Sequence, residues 1–174
     1  MGQLGLPCAG SGHEARPSRV TGLDALEVVD VSCGDFNTVV VTRDGEVYCF
    51  GANDDGQLGS KARAGGGDGG VEGACEAAAC WQPSRVIALD LHKVEHVAAG
   101  RGHVLALTDK GQLASWGAGE FGQLGHGSEE LSHPLPRFVR GLPPAAPSDG
   151  CAAAAAASAA SGAAAAPPPS PGSG

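Results

Sequence analysis

Histidines at short spacing are the first residues to weigh, because imidazoles serve both as metal ligands and as general bases. His92 and His96 stand four apart. On a helix that spacing puts two imidazoles on one face, where they can hold zinc. Here they approach and enter a β-branched run, and in an extended chain residues four apart lie about 13 Å from one another. The spacing therefore does not make a metal pair. Cys75 and Cys80 are close enough for a zinc half-site, but no second pair with ligand spacing follows. Ser32, Cys33 and His103 are of the types that nucleophilic catalysis uses. Yet Ser32 and Cys33 belong to a run whose second copy reads Ala98-Ala99, so no triad pattern is assembled. His103 reads as a hydrogen-bonding loop histidine. Asp54-Asp55 falls in a turn whose second copy is Glu120-Phe121, and a calcium loop orders more oxygen ligands than two. The glycine-rich run Gly65 to Gly70 lacks the Gly-Lys-Ser/Thr ending of a phosphate loop. No catalytic, cofactor-binding or metal residue is therefore assigned, no cofactor is expected, and partner-binding residues are not identified.

These residues sit in a chain organised by one phrase. Gly2-Gln3-Leu4-Gly5, Gly56-Gln57-Leu58-Gly59 and Gly122-Gln123-Leu124-Gly125 are three copies of it. Shifting residues 16–59 by 66 places them on 82–125 without a gap. Pro17/Pro83, Val20/Val86, Val28/Val94, Val31/Val97, Gly34/Gly100, Thr42/Thr108, Gly45/Gly111 and Gly51/Gly117 then coincide. A third unit opens with Pro136, Val139, Gly141 and Leu142, each 119 residues after Pro17, Val20, Gly22 and Leu23. A repeat of this length sets the architecture.

Inside each unit the apolar runs are short, and Val28-Val29-Asp30-Val31-Ser32 is β-branched. The first unit predicts strands at Arg19-Val20, Val28–Ser32, Thr38–Thr42 and Val47–Phe50. Pro17 introduces the first of them, and proline suits a strand start or an edge rather than a central ladder. Asp44-Gly45 between two apolar runs is a hairpin signal. The second unit repeats the pattern at Val94–Ala98, Val104–Thr108, Lys110-Gly111 and Leu113–Trp116. Strands recurring about every ten residues indicate an all-β fold.

Composition agrees. The chain has 29 glycines and few aromatics, which suits tight turns between short strands. The formal net charge is −8. That acidity opposes a phosphate-backbone binder, so no nucleic acid is expected as a partner. No long apolar stretch predicts a membrane span, and the first residues do not form a secretory signal. The six cysteines do not follow the repeat, since Cys33 aligns with Ala99 and Cys49 with Ser115. They read as reduced thiols of an intracellular protein, cytoplasmic or nuclear. Residues 60–80 form a Gly-rich insertion between the units, and 143–174 an Ala/Pro/Ser/Gly-rich tail that reads as disordered.

The ordered motifs Val97-Ala98-Ala99-Gly100-Arg101-Gly102-His103, Ala106-Leu107-Thr108, Gly111-Gln112-Leu113-Ala114-Ser115-Trp116-Gly117 and Gly122-Gln123-Leu124-Gly125 resemble the regulator of chromosome condensation repeat family. The resemblance covers about residues 17–142 and occurs twice over. It implies blades of a β-propeller, each a four-stranded antiparallel sheet. Phe50 and Trp116 would then pack between blades, Leu58 and Leu124 would be buried, and Gln57 and Gln123 would satisfy backbone groups in turns. Asn37 departs from the histidine of the second unit (His103), and Phe50 from its tryptophan. The expected fold is thus a partial β-propeller. It has complete units at 17–59 and 83–125, partial units at 1–5 and 136–142, and the tail at 143–174. Propellers close with about four to eight blades, so further repeats or self-association are needed for closure.

Function follows the same division. Recurring residues build blades, and activity lies in loop residues that do not recur. The expected role is a protein-interaction scaffold, a fragment of a longer protein. The resemblance also implies two alternatives. One is guanine nucleotide exchange on a Ran-type small GTPase, which relies on a wedge element outside the repeat motifs. The other is a propeller module of a larger kinase or ubiquitin ligase. None of the quoted residues belongs to a catalytic constellation.

Overall fold

The computed structural model describes residues 2–7, 14, 16–60, 79–127 and 132–142. The Gly-rich run at 61–78 and the tail at 143–174 lie outside the described residues. Among the described residues eight strands form: β1 (Val28–Cys33), β2 (Asn37–Thr42), β3 (Val47–Ala52), β4 (Ala79–Arg85), β5 (Val94–Ala99), β6 (His103–Thr108), β7 (Leu113–Ala118) and β8 (Ser132–Phe138). The only helical element among the described residues is a 3₁₀ turn at Ile87–Leu89.

The strands build two four-stranded antiparallel sheets in the orders β1-β2-β3-β4 and β5-β6-β7-β8. The two sheets are copies of each other in register. Val31 pairs with Val40 and Val97 with Ala106, and a bulge interrupts the same place in each inner pair. Gly51 and Gly117 show why glycine ends the third strand. Both have positive φ, and a Cβ there would stand 2.3 Å from the carbonyl oxygen of Phe36 or of Gly102. That carbonyl accepts a hydrogen bond from the next residue, Ala52 or Ala118, at 2.8 Å. The strand end is thus folded onto the neighbouring hairpin too closely for a side chain.

The fourth strand of each blade comes from the start of the following repeat unit. β4 and β8 carry the prolines of the repeat, Pro83 and Pro134 with Pro136. Both are outer edge strands, and the prolines fall where the ladder slips between Cys49 and Gly51 or between Ser115 and Gly117. A residue lacking an N–H is tolerated there and not in the ladder itself. This corrects the expectation of a strand at Arg19-Val20, which is not in a strand. The sheet of β1 is already completed by β4, so among the described residues the first Pro-x-x-Val segment joins no sheet.

The cysteine expectation also needs one correction. Cys33 and Cys49 are free thiols, but Cys80 is disulfide-bonded, to a cysteine outside the described residues. The argument from repeat spacing fails for Cys80 because it borders the insertion, which the repeat does not constrain.

One apolar core runs through both sheets. Val39, Val41, Val47, Cys49, Leu58, Val86, Val94, Val104, Ala106, Ala114 and Trp116 belong to it. β2 is buried along its whole length, which accounts for its unbroken Val39-Val40-Val41 run. Antiparallel pairing puts the β1–β2 and β5–β6 turns at one end of the blades, together with the Gly-Gln-Leu-Gly turns. The β2–β3 and β6–β7 hairpins and the segment 86–93 lie at the other end.

Candidate functional site

The junction between blades uses most of the recurring polar residues. Each Gly-Gln-Leu-Gly phrase closes a turn in which the last glycine N–H bonds the first glycine carbonyl, at 3.0, 3.1 and 3.0 Å in the three copies. In two of them the glutamine Oε1 accepts a backbone N–H, from Asp55 at 2.9 Å and from Phe121 at 2.8 Å. Leu58 and Leu124 are buried as the repeat requires, whereas Leu4 is exposed. Gly59 must be small, since a Cβ would meet Val86 at 2.8 Å and the indole nitrogen of Trp116 at 3.1 Å.

Trp116 is fully buried, and its indole N–H donates to the Gln57 carbonyl of the preceding blade at 3.0 Å. Phe50 occupies the equivalent place in the first blade and has no donor. There the Gln3 carbonyl is served instead by the Thr38 hydroxyl, at 2.8 Å. Thr38 pairs across the sheet with Phe50, as Val104 pairs with Trp116. The donor has moved to the opposite strand, and the bond to the turn is kept. Unmet, a buried carbonyl of this kind costs about 1–3 kcal/mol.

The inner strands meet through side chains. Asp30 Oδ2 accepts the Val97 N–H at 3.1 Å, and Ser32 Oγ accepts the Ala99 N–H at 2.9 Å. His96 lies 3.5 Å from Asp30 across the same seam. His92 instead packs on Phe138, ring centroids 4.6 Å apart. The two histidines thus serve different neighbours. Asn37 begins β2, with its side-chain amide fully buried and neither polar atom hydrogen-bonded. His103, its counterpart, has its imidazole pKa pushed down by burial. Burial alone also pushes the Cys49 thiol far up, which makes it inert as a nucleophile.

Ser115 and His126 come closest to a nucleophile–base pair, at 3.1 Å. The Ser115 hydroxyl, however, donates to the Leu124 carbonyl at 2.6 Å and is fully buried. Its proton is committed and its oxygen is out of a substrate's reach. Among the described residues no group of three or more His, Cys, Asp or Glu side chains is placed to hold a metal ion.

The two ends of the blades differ in charge. At the hairpin end, Arg85 bridges Glu46 at 2.8 Å and Asp90 at 3.1 Å, and Arg43 pairs with Glu27. Tyr48 donates to Glu46 at 3.0 Å, and burial with that carboxylate raises its pKa. The turn end carries Asp35, Asp54, Asp55 and Glu120 against Arg101, which lies 3.9 Å from Asp35. Phe121 stands beside them, 89% exposed. Asp54-Asp55 therefore belongs to an acidic rim. Sequence reasoning missed Phe121 as a surface feature. Its signal was the mismatch with Asp55 at the same repeat position.

Two glycine-punctuated, four-stranded blades joined by side-chain seams define a β-propeller repeat protein. The family profile "Regulator of chromosome condensation (RCC1) repeat" matches residues 1–41, 44–107 and 110–160, and a second profile of the same description matches 28–57 and 94–123. The chain belongs to this repeat family. It is 39% identical over 134 residues to the human E3 ubiquitin-protein ligase HERC2, covering 76% of this chain and 2% of that protein. It is 36% identical over 132 residues to the Arabidopsis thaliana mitochondrial RCC1 domain-containing protein RUG3, covering 73% of this chain and 26% of that protein. Among solved structures, Saccharomyces cerevisiae Prp20p superposes with a TM-score of 0.65 at 24% identity, over 80% of this chain and 32% of that one. That likeness concerns the fold alone. The chain thus spans about a quarter or less of the length of these curated relatives.

Proposed function

We propose that this chain is a protein-interaction module whose turn-end rim, bearing Asp35, Asp54, Asp55, Glu120 and Phe121, contacts a protein partner. One observation carries the reading: the features the two blades share are consumed in building them, and the blades diverge at exposed positions of the turn end. Asp55 and Phe121 hold one repeat position, one a carboxylate and the other an exposed ring. An exposed aromatic beside unbalanced carboxylates suits a partner that offers an apolar pocket flanked by basic side chains. The module needs no catalytic group of its own.

The test is site-specific photocrosslinking in cells from position 121, with position 44 on the hairpin end as control. The expected result is one discrete adduct from position 121 that disappears when Asp54, Asp55 and Glu120 are changed to Asn, Asn and Gln. Equal adducts from both positions would overturn the assignment of the rim.

A second reading is favoured by the identity to HERC2, of which this chain matches a small part. On it, the blades are the partner-binding module of a larger ubiquitin ligase. Readthrough of the flanking gene sequence into a ligase domain would support it. The likeness to Prp20p, described with its binding to Gsp1p and histones, motivates a third assay. Release of labelled GDP from a Ran-type GTPase should stay at background, and acceleration would replace the scaffold reading with an exchange factor.

A further inference from the structure

The tetrapeptide Pro-Ser-Arg-Val occurs twice, at 17–20 and at 83–86. The second copy closes β4 on the edge of β3. Ser84 pairs with Cys49 and Arg85 with Tyr48, and the Val86 N–H donates to the Val47 carbonyl at 2.9 Å. Arg85 also spans two carboxylates, with Nη2 on Glu46 at 2.8 Å and Nε on Asp90 at 3.1 Å.

The first copy is held by three contacts that match those of the second. Arg19 Nε meets Asp24 Oδ1, the bond of Arg85 with Asp90 moved back by one repeat. Val20 packs on the glycine that ends the first Gly-Gln-Leu-Gly phrase. A Cβ on Gly5 would stand 2.7 Å from Val20, as one on Gly59 would stand 2.8 Å from Val86. Gly22 lies against the Pro83 ring of β4, as the 3₁₀ turn Ile87–Leu89 lies against β8.

What the first copy lacks is a strand beside it. Among the described residues no acceptor meets the Val20 N–H, and no second carboxylate meets Arg19. The Arg19 side chain is 78% exposed, against 41% for Arg85. The segment is already placed by its other contacts, so pairing costs little further conformational entropy. Pro17 has no N–H to donate, which ends the ladder there and fixes the register on Ser18, Arg19 and Val20.

We propose that residues 17–20 take an antiparallel strand from a protein partner by β-augmentation. A carboxylate of that strand meets Arg19, and one of its backbone carbonyls accepts the Val20 N–H. The chemistry of the strand follows from β3 and the residue before it. Glu46-Val47-Tyr48-Cys49 is an acidic residue followed by an apolar run, with Glu46 on Arg85 and the Val47 carbonyl on Val86. None of the turn-end rim residues belongs to this edge.

The probe is a synthetic peptide of residues 46–52 carrying Cys49→Ser, titrated at millimolar concentration into the full chain and followed by amide NMR. The Ser18, Arg19 and Val20 amides should shift together, and the Val20 amide should exchange at least about five-fold more slowly. A peptide with Glu46→Gln, or the chain with Arg19→Gln, should bind about five-fold more weakly. Arg19→Glu should recover binding to a peptide with Glu46→Lys. Shifts centred on β4 or β8, equal affinity for the Glu46→Gln peptide, or no shift at all would overturn the proposal. So would protection of the Val20 amide before peptide is added, because a second copy or another stretch of this chain would then fill the edge. If the Arg19 variants fail to fold, the two peptides on the unsubstituted chain decide the outcome.

Discussion

The same inner strand is better covered in the second blade than in the first. Val94 is 2% exposed and its repeat partner Val28 is 41% exposed. Val97 is half-buried, while Val31 is 57% exposed. The residue types are identical, so the difference comes from the neighbour. β5 lies against β1, and its Val97 and Ala99 amides are held by Asp30 and Ser32. β1 has no such neighbour among the described residues. Val28, Val29 and Val31 are therefore apolar side chains that β1 leaves exposed. The acceptors do not recur either: the second blade carries His96 and Ala98 where the first has Asp30 and Ser32. A second copy stacked head to tail would bring β1 no matching pair of acceptors, so the seams are specific rather than interchangeable.

The largest effect should come from the residue that ties the seam. Trp116→Ala removes a fully buried ring and its bond to Gln57, and should cost about 3–5 kcal/mol in urea unfolding. Phe50→Ala, on the side that packs against the short segment at 2–5, should cost less. Equal losses would break the distinction between a two-sided and a one-sided seam.

Glycine substitutions sharpen the same contrast. Gly56 and Gly122 hold one repeat position with φ of 79° and 75°. A Cβ on Gly56 would stand 2.5 Å from the Pro134 Cα, whereas one on Gly122 meets nothing within 4 Å. Gly122→Ala should cost about 1–2 kcal/mol for the left-handed backbone alone. Gly56→Ala should add about 1–3 kcal/mol of overpacking, read as a further fall in the urea midpoint.

A smaller effect tests the moved hydrogen bond. Thr38→Val leaves the Gln3 carbonyl without its hydroxyl donor and should cost about 1 kcal/mol. Combining Thr38→Val with Phe50→Trp recreates the Val104/Trp116 pair of the second blade. It should recover most of the loss, and additive losses in this double-mutant cycle would contradict the swap.

The smallest effect is one of pH. Burial lowers the His103 pKa in the folded protein. The unfolded chain therefore binds this proton more readily. Stability from His103 is complete above the ordinary imidazole value of about 6.5 and is lost as pH falls through the lower folded value. His103→Asn, the residue of the first blade, should flatten that part of the stability–pH curve below pH 7.

Much of this was legible from residue order. Short apolar runs and their recurrence in the second unit located six of the strands, and Asp44-Gly45 the first hairpin. The phrase Gly-Gln-Leu-Gly announced turns, and in its second and third copies Gln57, Gln123, Leu58 and Leu124 behave as the repeat implied. The outer strands were less legible. Ala79–Arg85 has little β-branching and contains a proline, and it joins a sheet begun in the unit before it. The Thr38 hydroxyl could not be matched to Phe50 before the register was known, because the two lie on different strands. Cys80 escaped the repeat argument by bordering the insertion.

Amide hydrogen exchange at four homologous positions tests the central claim, that the blade seam is built by neighbour contact rather than by the strand itself. The account predicts that Val97 and Ala99, held across the seam by Asp30 and Ser32, exchange at least about ten-fold more slowly than Cys33 and than Val31, whose N–H has only the exposed Oδ1 of its own neighbour Asp30 at 2.9 Å. It further predicts that Asp30→Ala with Ser32→Ala removes the difference. Equal protection of the two pairs in the unsubstituted chain would contradict it.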